Sequence, residues 1–355
     1  MRNRTLKYAS LVISVFIAVL ASGISGCLPD PYTVGEPDSL FSEFVLVWDL
    51  MDSHYACFFA KENVNWDEVY QRLKPEAENL SNRDQLIDLC LEMLSELEDQ
   101  NLILRNSDGT RLDSWSQDDF LNWDLSVWTD YMNCWVFPDT IDGMDIYDAL
   151  VINITPDDSI AYIYVNDLGD EFSIYSFFSE TDIIENCSGA ILDIRMCRES
   201  GKEVNAGYAC GRFVDKAALS FYRVFRTGPG RNDMGEMLPV IANRNGAWQF
   251  TGPIILLTGR DTQGAGEQLV LLLRTQEHIT VIGDTTAGFA NPPVSFDLTE
   301  GYTIEIPEMV TYSLDSTLIL NSGIAPDILI QTSEADFAAG VDPVIDAAIE
   351  MLTQQ

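Results

Sequence analysis

Residues 259–270 read GRDTQGAGEQLV, and this stretch decides the fold of the chain. The apolar run PIILLTG leads directly into it, and the apolar run EQLVLLLRT leaves it. The first run has the length of a buried strand and the second that of a buried helix. Enzymes often mount a nucleophile on such a tight strand-to-helix turn. Here the tip offers only small residues without a reactive side chain: Gly264, Ala265 and Gly266.

The segments on both sides of this turn continue an alternation of strands and helices. The runs at 159–165 and 189–195 predict buried strands, a helix is predicted over 204–225, and residues 279–283 predict a further strand. This order is typical of βαβ units around a parallel sheet. Three later runs predict an antiparallel addition: PVSFDL, YTIEIP and MVTYSL.

The part of the chain before residue 159 has a different texture. Residues 40–104 are predicted to be helical, because apolar residues recur there at three- and four-residue spacing. Residues 105–158 are rich in Asp, Trp and Tyr without clear periodicity, which predicts irregular structure with short strands. We therefore expect a helical N-terminal domain with an irregular segment over 40–158, and a core domain over 159–355.

The first 26 residues have the features of an export signal. Three basic residues precede an apolar stretch that is too short to span a bilayer, and small residues follow it. Residues 24–27 read ISGC, which resembles the lipobox of bacterial lipoproteins. The resemblance implies cleavage before Cys27, a lipid on its thiol, and a tether over 27–39. The alternative is an ordinary cleaved signal with an incidental cysteine.

These features predict a lipid-anchored, extracytoplasmic protein of the bacterial cell envelope that contacts the membrane through its lipid alone. Leu28 stands where an aspartate would be associated with inner-membrane retention, which favours the outer membrane. Removal of the signal leaves 17 of the 20 Lys and Arg and all 56 Asp and Glu, a net charge of −39. Such a chain repels nucleic acid, so we expect no nucleic-acid partner. The oligomeric state stays open.

Six cysteines remain besides Cys27. An even number in an exported protein permits one or two disulfides, whose pairing the sequence does not determine. No CxxC or metal-type spacing is present, and we predict no metal and no cofactor. The six cysteines are Cys57, Cys90, Cys134, Cys187, Cys197 and Cys210.

Taken in order, several motifs resemble those of the tail-specific protease family, the C-terminal processing serine peptidases. The resemblance implies an α/β fold with a crotonase-like ββα peptidase core and a helical N-terminal cap. The PDZ module of many members has no recognisable counterpart here. The motifs that carry the resemblance are VNWDEVYQRLKP, LCLEMLSELED, LLTGRDTQGAGEQLV, VIGDTTAG and SGIAPDILI.

The family's catalytic positions are substituted in this sequence. Its nucleophilic serine stands in a pattern like R-x-T-x-S-A-x-E, where this chain has Gly264. One branch of the family uses a lysine base, where this chain has Phe289, and another uses a histidine, where this chain has Asn101. Glycine has no attacking oxygen, and neither of the other two side chains can accept the proton.

The family's oxyanion loop is altered as well. The family follows a D-x-R strand with a glycine-rich loop whose N–H groups face the developing negative charge. Asp193 and Arg195 are present here, but the next residues read CRESG, and Glu199 adds an unfavourable negative charge. The expected peptide-cleft residues are Gly264, Ala265, Gly266, Arg195 and Gly201.

Three functional hypotheses follow. The preferred one is a non-hydrolysing homologue that binds peptide or protein segments in the inherited cleft. The second is an active serine- or threonine-type peptidase that uses non-standard residues, with Thr262 or Ser200 as the fallback nucleophile. The third is an envelope scaffold protein. His54 and His278 are interpreted as packing or surface residues, and Glu267 as an acid favoured by the first turn of its helix.

Overall fold

The computed structural model of the 355-residue chain describes residues 37–115, 122–134, 150–154, 159–169, 172–198 and 202–354. Pro37–Gln355 forms one compact unit. The predicted signal peptide, the lipidated Cys27 and nearly all of the predicted tether lie outside the described residues. Within the described ranges, no helix combines the length and the apolar character that crossing a membrane requires.

Three helices make up the N-terminal region: α1 (Leu40–His54), α2 (Trp66–Ala77) and α3 (Arg83–Ser95). Each begins after a polar residue whose side chain accepts a backbone N–H of the first turn, an arrangement that typically stabilises a helix by about 1 kcal/mol. These residues are Ser39, Asn65 and Asn82. The helical prediction for this region is confirmed.

Six more helices follow in the described residues: α4 (Leu125–Cys134), α5 (Ile174–Glu180), α6 (Glu203–Cys210), α7 (Ala265–Leu273), α8 (Glu334–Ala338) and α9 (Pro343–Thr353). The strands are β1 (Ile103–Arg105), β2 (Arg111–Asp113), β3 (Leu150–Ile154), β4 (Ile160–Val165), β5 (Gly189–Asp193), β6 (Ala218–Phe225), β7 (Leu238–Ala242), β8 (Ile254–Thr258), β9 (Ile279–Gly283), β10 (Pro293–Asp297), β11 (Thr303–Pro307), β12 (Met309–Ser313) and β13 (Ile328–Leu329).

The central sheet has six strands in the order β13-β9-β8-β5-β4-β3. All neighbours are parallel except β3, which runs antiparallel to β4. The predicted parallel sheet is therefore confirmed. β3 precedes the predicted domain boundary at residue 158 and β4 follows it, so this boundary falls inside a sheet.

Two smaller antiparallel sheets complete the α/β architecture. One has the order β10-β11-β1-β2, and the other has the order β12-β6-β7. The predicted antiparallel addition thus exists, but its last strand belongs to a separate sheet. The helix predicted over 204–225 is wrong in its second half, because the chain turns after α6 and residues 218–225 form β6.

The helical N-terminal region and the smaller sheets share one hydrophobic core. Phe44 of α1 belongs to the same buried cluster as Val224 of β6, Ile304 of β11 and Val310 of β12. Helix α7 is buried along all nine of its residues. Because the central helix is enclosed in this way, the turn at its start is held on several sides.

Candidate functional site

The turn between β8 and α7 is the centre of the candidate site. Gly264 is the N-cap of α7 and has φ 51° and ψ −114°, a backbone conformation that glycine adopts without a steric penalty. The turn is braced from beneath by the buried Thr262, whose hydroxyl accepts the N–H of Gly259 at 3.0 Å and donates to the carbonyl of Ile194 at 3.0 Å. The hydroxyl of Thr262 is thus engaged inside the protein.

The segment after β9 and the segment before β1 both reach this turn. The N–H of Ala287 donates to the carbonyl of Thr262 at 3.1 Å. The side-chain amide of Gln100 in turn donates to the carbonyl of Ala287 at 2.5 Å. The three positions that the family motifs single out, Gly264, Phe289 and Asn101, are therefore brought into one region of the fold. Sequence reasoning did not identify Gln100, which links two of these segments.

The side chains of Asn101 and Phe289, at the two positions where the family motifs have a base, are buried in the protein interior. Asn101 is fully buried, and its Nδ2 donates to Oδ1 of Asp99 at 2.7 Å, while the hydroxyl of Tyr55 donates to the other carboxylate oxygen of Asp99 at 2.7 Å. Phe289 is buried in a small apolar cluster with Ile103 and Ala287. An amide and a phenyl ring take up no proton near neutral pH.

Arg195 lies inside the protein and does not line a cleft. Its side chain has no exposed surface and is held between Asp193, at 2.7 Å, and Asp342, at 2.8 Å. Asp342 also caps α9 by accepting the N–H groups of Val344 and Ile345. This placement corrects the interpretation of Arg195 as a peptide-cleft residue: it is the centre of a buried ion network that joins β5 to α9.

The start of the predicted oxyanion loop packs against the turn. The carbonyl of Cys197 accepts the N–H of Gln263 at 2.9 Å, and a Cβ added to Gly266 would lie 3.2 Å from the Cys197 sulfur. Ala265 and Gly266 are buried, as is Gly264. The remainder of the loop, with the predicted site residues Ser200 and Gly201, lies outside the described residues.

Two known protein families match the sequence of this chain. Residues 159–330 match the family described as "Peptidase family S41", and residues 42–95 match "Tricorn protease C1 domain". The chain belongs to the tail-specific protease family. Members of this family are serine-type peptidases, and the matched regions contain both the β8–α7 turn and the helical N-terminal region. No curated protein matches the sequence.

Solved structures of this family's fold cover most of the chain. An inferred peptidase from Parabacteroides merdae is 25% identical with a TM-score of 0.74, covering 88% of this chain and 96% of that one. A lipoprotein from Streptococcus agalactiae is 12% identical with a TM-score of 0.59, over 90% and 97%. Mature CPAF complexed with lactacystin is 9% identical with a TM-score of 0.61, over 88% and 97%. The last two show the shared fold alone.

Glu267 lies three residues after Gly264, in the first turn of α7. Its carboxylate is fully buried and accepts the hydroxyl of Thr286 and the N–H of Gly288, the latter at 2.7 Å. Burial raises its pKa to about 7, while these donors and the N–H of Gly264 oppose the shift. The sequence predicted only that an acid is favourable in the first turn of a helix. It did not reveal the burial of Glu267 or its hydrogen bonds to Thr286 and Gly288.

The two histidines lie outside this turn, whereas the thiol of Cys197 packs against Gly266. His54 is buried and paired with Glu308. His278 is half-buried, and burial lowers its pKa. The buried cysteines are free thiols rather than members of the predicted disulfides: Cys57, Cys90, Cys197 and Cys210. Their burial raises their pKa, which makes them inert. The described residues contain no cluster of His, Cys, Asp and Glu that could hold a metal ion.

Proposed function

We propose that this chain is a non-hydrolysing member of the tail-specific protease family that binds peptide or protein segments beside the β8–α7 turn. The observation that carries the proposal is Gly264 at the N-cap of α7, where the family motif has its nucleophilic serine. A glycine cannot form the covalent acyl intermediate on which serine peptidases depend. Loss of the nucleophile or base in such an enzyme typically lowers kcat about a million-fold.

The neighbouring side chains support the same proposal. Asn101 and Phe289 stand at the two base positions, and both are packed into the interior. Asn101 is committed to Asp99, and Phe289 lies under the guanidinium of Arg111 at 5.4 Å. Restoring a serine at Gly264 would therefore still leave it without the lysine or histidine base that the family motifs place at these two positions.

The second hypothesis, an active peptidase with other residues, meets an obstacle at Thr262. A threonine nucleophile needs a free hydroxyl and an adjacent base. The hydroxyl of Thr262 already has two backbone partners and no exposed surface. Ser200 is the remaining fallback of this hypothesis. The scaffold hypothesis differs from the preferred one only in having no ligand beside the turn.

We propose further that the protein is held in the bacterial cell envelope by a lipid on Cys27. The support comes from the sequence, where a lipobox-like run follows an export signal.

One pair of assays separates the three hypotheses. The purified protein is exposed to a fluorophosphonate probe and to unfolded casein, and we expect neither labelling nor cleavage. Labelling or cleavage that disappears in Ser200→Ala would establish the peptidase hypothesis. Binding partners are then captured with the parent protein and with Gln263→Trp, which places a bulky ring at the partly exposed Gln263 in the turn.

The occluding variant needs a matched control. Glu277→Trp adds the same ring at an exposed position after α7, and circular dichroism verifies that both variants are folded. We expect Gln263→Trp to lose partners that Glu277→Trp retains. If both variants retain every partner, the turn is not the binding site and the scaffold hypothesis is the better one.

A further inference from the structure

A cavity with mostly apolar walls lies beside α7, on the side of α6, β6 and β7. Its volume is about 590 Å³, within the usual range of small-molecule sites. It is separate from the turn residues discussed above, although Gln268, one helical turn after Gly264, lines it. The apolar wall residues include Val204, Tyr208, Phe221, Phe225, Val240 and Leu272.

Arg223 of β6 lines the cavity, and part of its guanidinium group has no hydrogen-bond partner among the described residues. Its side chain is only 7% exposed, and its Nη1 pairs with the carboxylate of Glu203. The Nε and Nη2 nitrogens are buried and have no hydrogen-bond partner among the described residues. Buried donors in native proteins almost always have a partner, and an unsatisfied one is destabilising. The two donors therefore need an explanation that the protein's own packing does not supply.

The geometry of these two donors specifies the group that satisfies them. Nε and Nη2 form one edge of the planar guanidinium, and this edge matches the two oxygens of a carboxylate. Glu203 already pairs with Nη1 of Arg223. Its negative charge disfavours ligands that carry several negative groups. A single carboxylate is the group that fits.

The rest of the wall indicates an apolar body for the ligand. Three of its other polar side chains are already engaged: Gln268 Nε2 donates to Glu203 at 3.0 Å, and Arg244 donates to Asp215 at 3.0 Å. Asn243 donates its amide to the carbonyl of Ile241 at 3.0 Å. Few groups remain that could pair with the polar backbone of a peptide. We propose that this cavity binds an apolar monocarboxylate of the fatty-acid class, with its carboxylate on the Nε–Nη2 edge of Arg223.

The test is a calorimetric titration of the purified full chain with sodium decanoate and with decan-1-ol, below their aggregation concentrations. We expect saturable binding of decanoate at one site and at least tenfold weaker binding of decanol. Across octanoate, decanoate and dodecanoate, affinity should rise about fourfold for each added CH₂. Arg223→Met should weaken decanoate at least tenfold and leave decanol unchanged. Arg244→Met is the matched control, because Arg244 lines the same cavity but is bonded to Asp215.

A second variant keeps the test decisive if Arg223→Met does not fold. Gly207 of α6 lines the cavity, and a Cβ there meets nothing within 4 Å. Gly207→Trp should fill the cavity and abolish decanoate binding, whereas Gly207→Ala should keep it. Both variants should fold, because alanine and tryptophan favour a helix more than glycine does. Absence of decanoate binding overturns the proposal, as does equal binding of decanoate by the parent and Gly207→Trp. Binding of a peptide with an apolar C-terminus without binding of decanoate would assign the cavity to peptides instead.

Discussion

Replacing Glu267 by Gln should change how the stability of the protein depends on pH. Burial raises the pKa of Glu267 from 4.5 to about 7, so the folded state holds a proton that the unfolded chain releases at lower pH. The stability contributed by this group is complete below pH 4.5 and is lost as the pH rises to about 7. The shift of about 2.5 pH units corresponds to about 3 kcal/mol at 1.36 kcal/mol per unit.

The measurement is urea unfolding of the parent and of Glu267→Gln between pH 4 and pH 8.5. Gln carries no titrating proton but keeps an oxygen that can accept from Thr286 and Gly288. The parent should therefore lose up to about 3 kcal/mol relative to the variant across this range. All other titrating groups cancel in the difference, and any constant effect of the replacement does not alter its slope.

The control for this prediction is Glu277→Gln at an exposed position just after the same helix. Its difference from the parent should stay flat over the same pH range. A flat difference for Glu267→Gln as well would refute the argument, because it would mean that the folded protein and the unfolded chain bind the proton of Glu267 equally well.

Three further predictions test the ion network, the turn and the anchor. Arg195→Met should lower the free energy of unfolding, measured by thermal melts, by about 3–5 kcal/mol, because two buried carboxylates lose their cation. The control is Arg198→Met, which removes a half-exposed surface ion pair and should lower the free energy of unfolding by less than about 1 kcal/mol. Gly264→Ser should not produce fluorophosphonate labelling, and labelling would contradict the proposed absence of a base. Cys27→Ser should release the protein into the soluble fraction or leave the precursor unprocessed, and a processed, membrane-bound variant would refute the lipid anchor.

The parallel sheet could be predicted because its strands are buried on both faces. Such strands read as unbroken apolar runs, and β5 and β8 are buried at every residue. The prediction of one helix over 204–225 is wrong for β6. β6 is a strand because β12 and β7 pair with it on its two sides, and these partners are distant in sequence. Periodicity within one segment carries no information about such partners.

The sequence predicts those site residues that stand at a fixed place in a family motif. It does not predict roles that depend on contacts between distant parts of the chain. The motif pattern located Gly264, Asn101 and Phe289, which the fold brings into one region. The hydrogen bond from Gln100 to Ala287 spans 187 positions, and no local pattern indicates it. The role of Arg195 was misjudged for the same reason, since its second partner, Asp342, is 147 positions away.

The geometry of the turn fits the proposal that it lacks a nucleophile. The bonds that hold it come from Thr262, from the carbonyl of Cys197 and from the N–H of Ala287, and none involves a side chain at position 264. The positive φ of Gly264 is a conformation that a side chain makes unfavourable by about 1 kcal/mol or more. A serine at this position would therefore introduce strain. In a non-hydrolysing protein, as proposed above, glycine at this position keeps the turn and avoids that strain, so it gives the more stable form of the same structure.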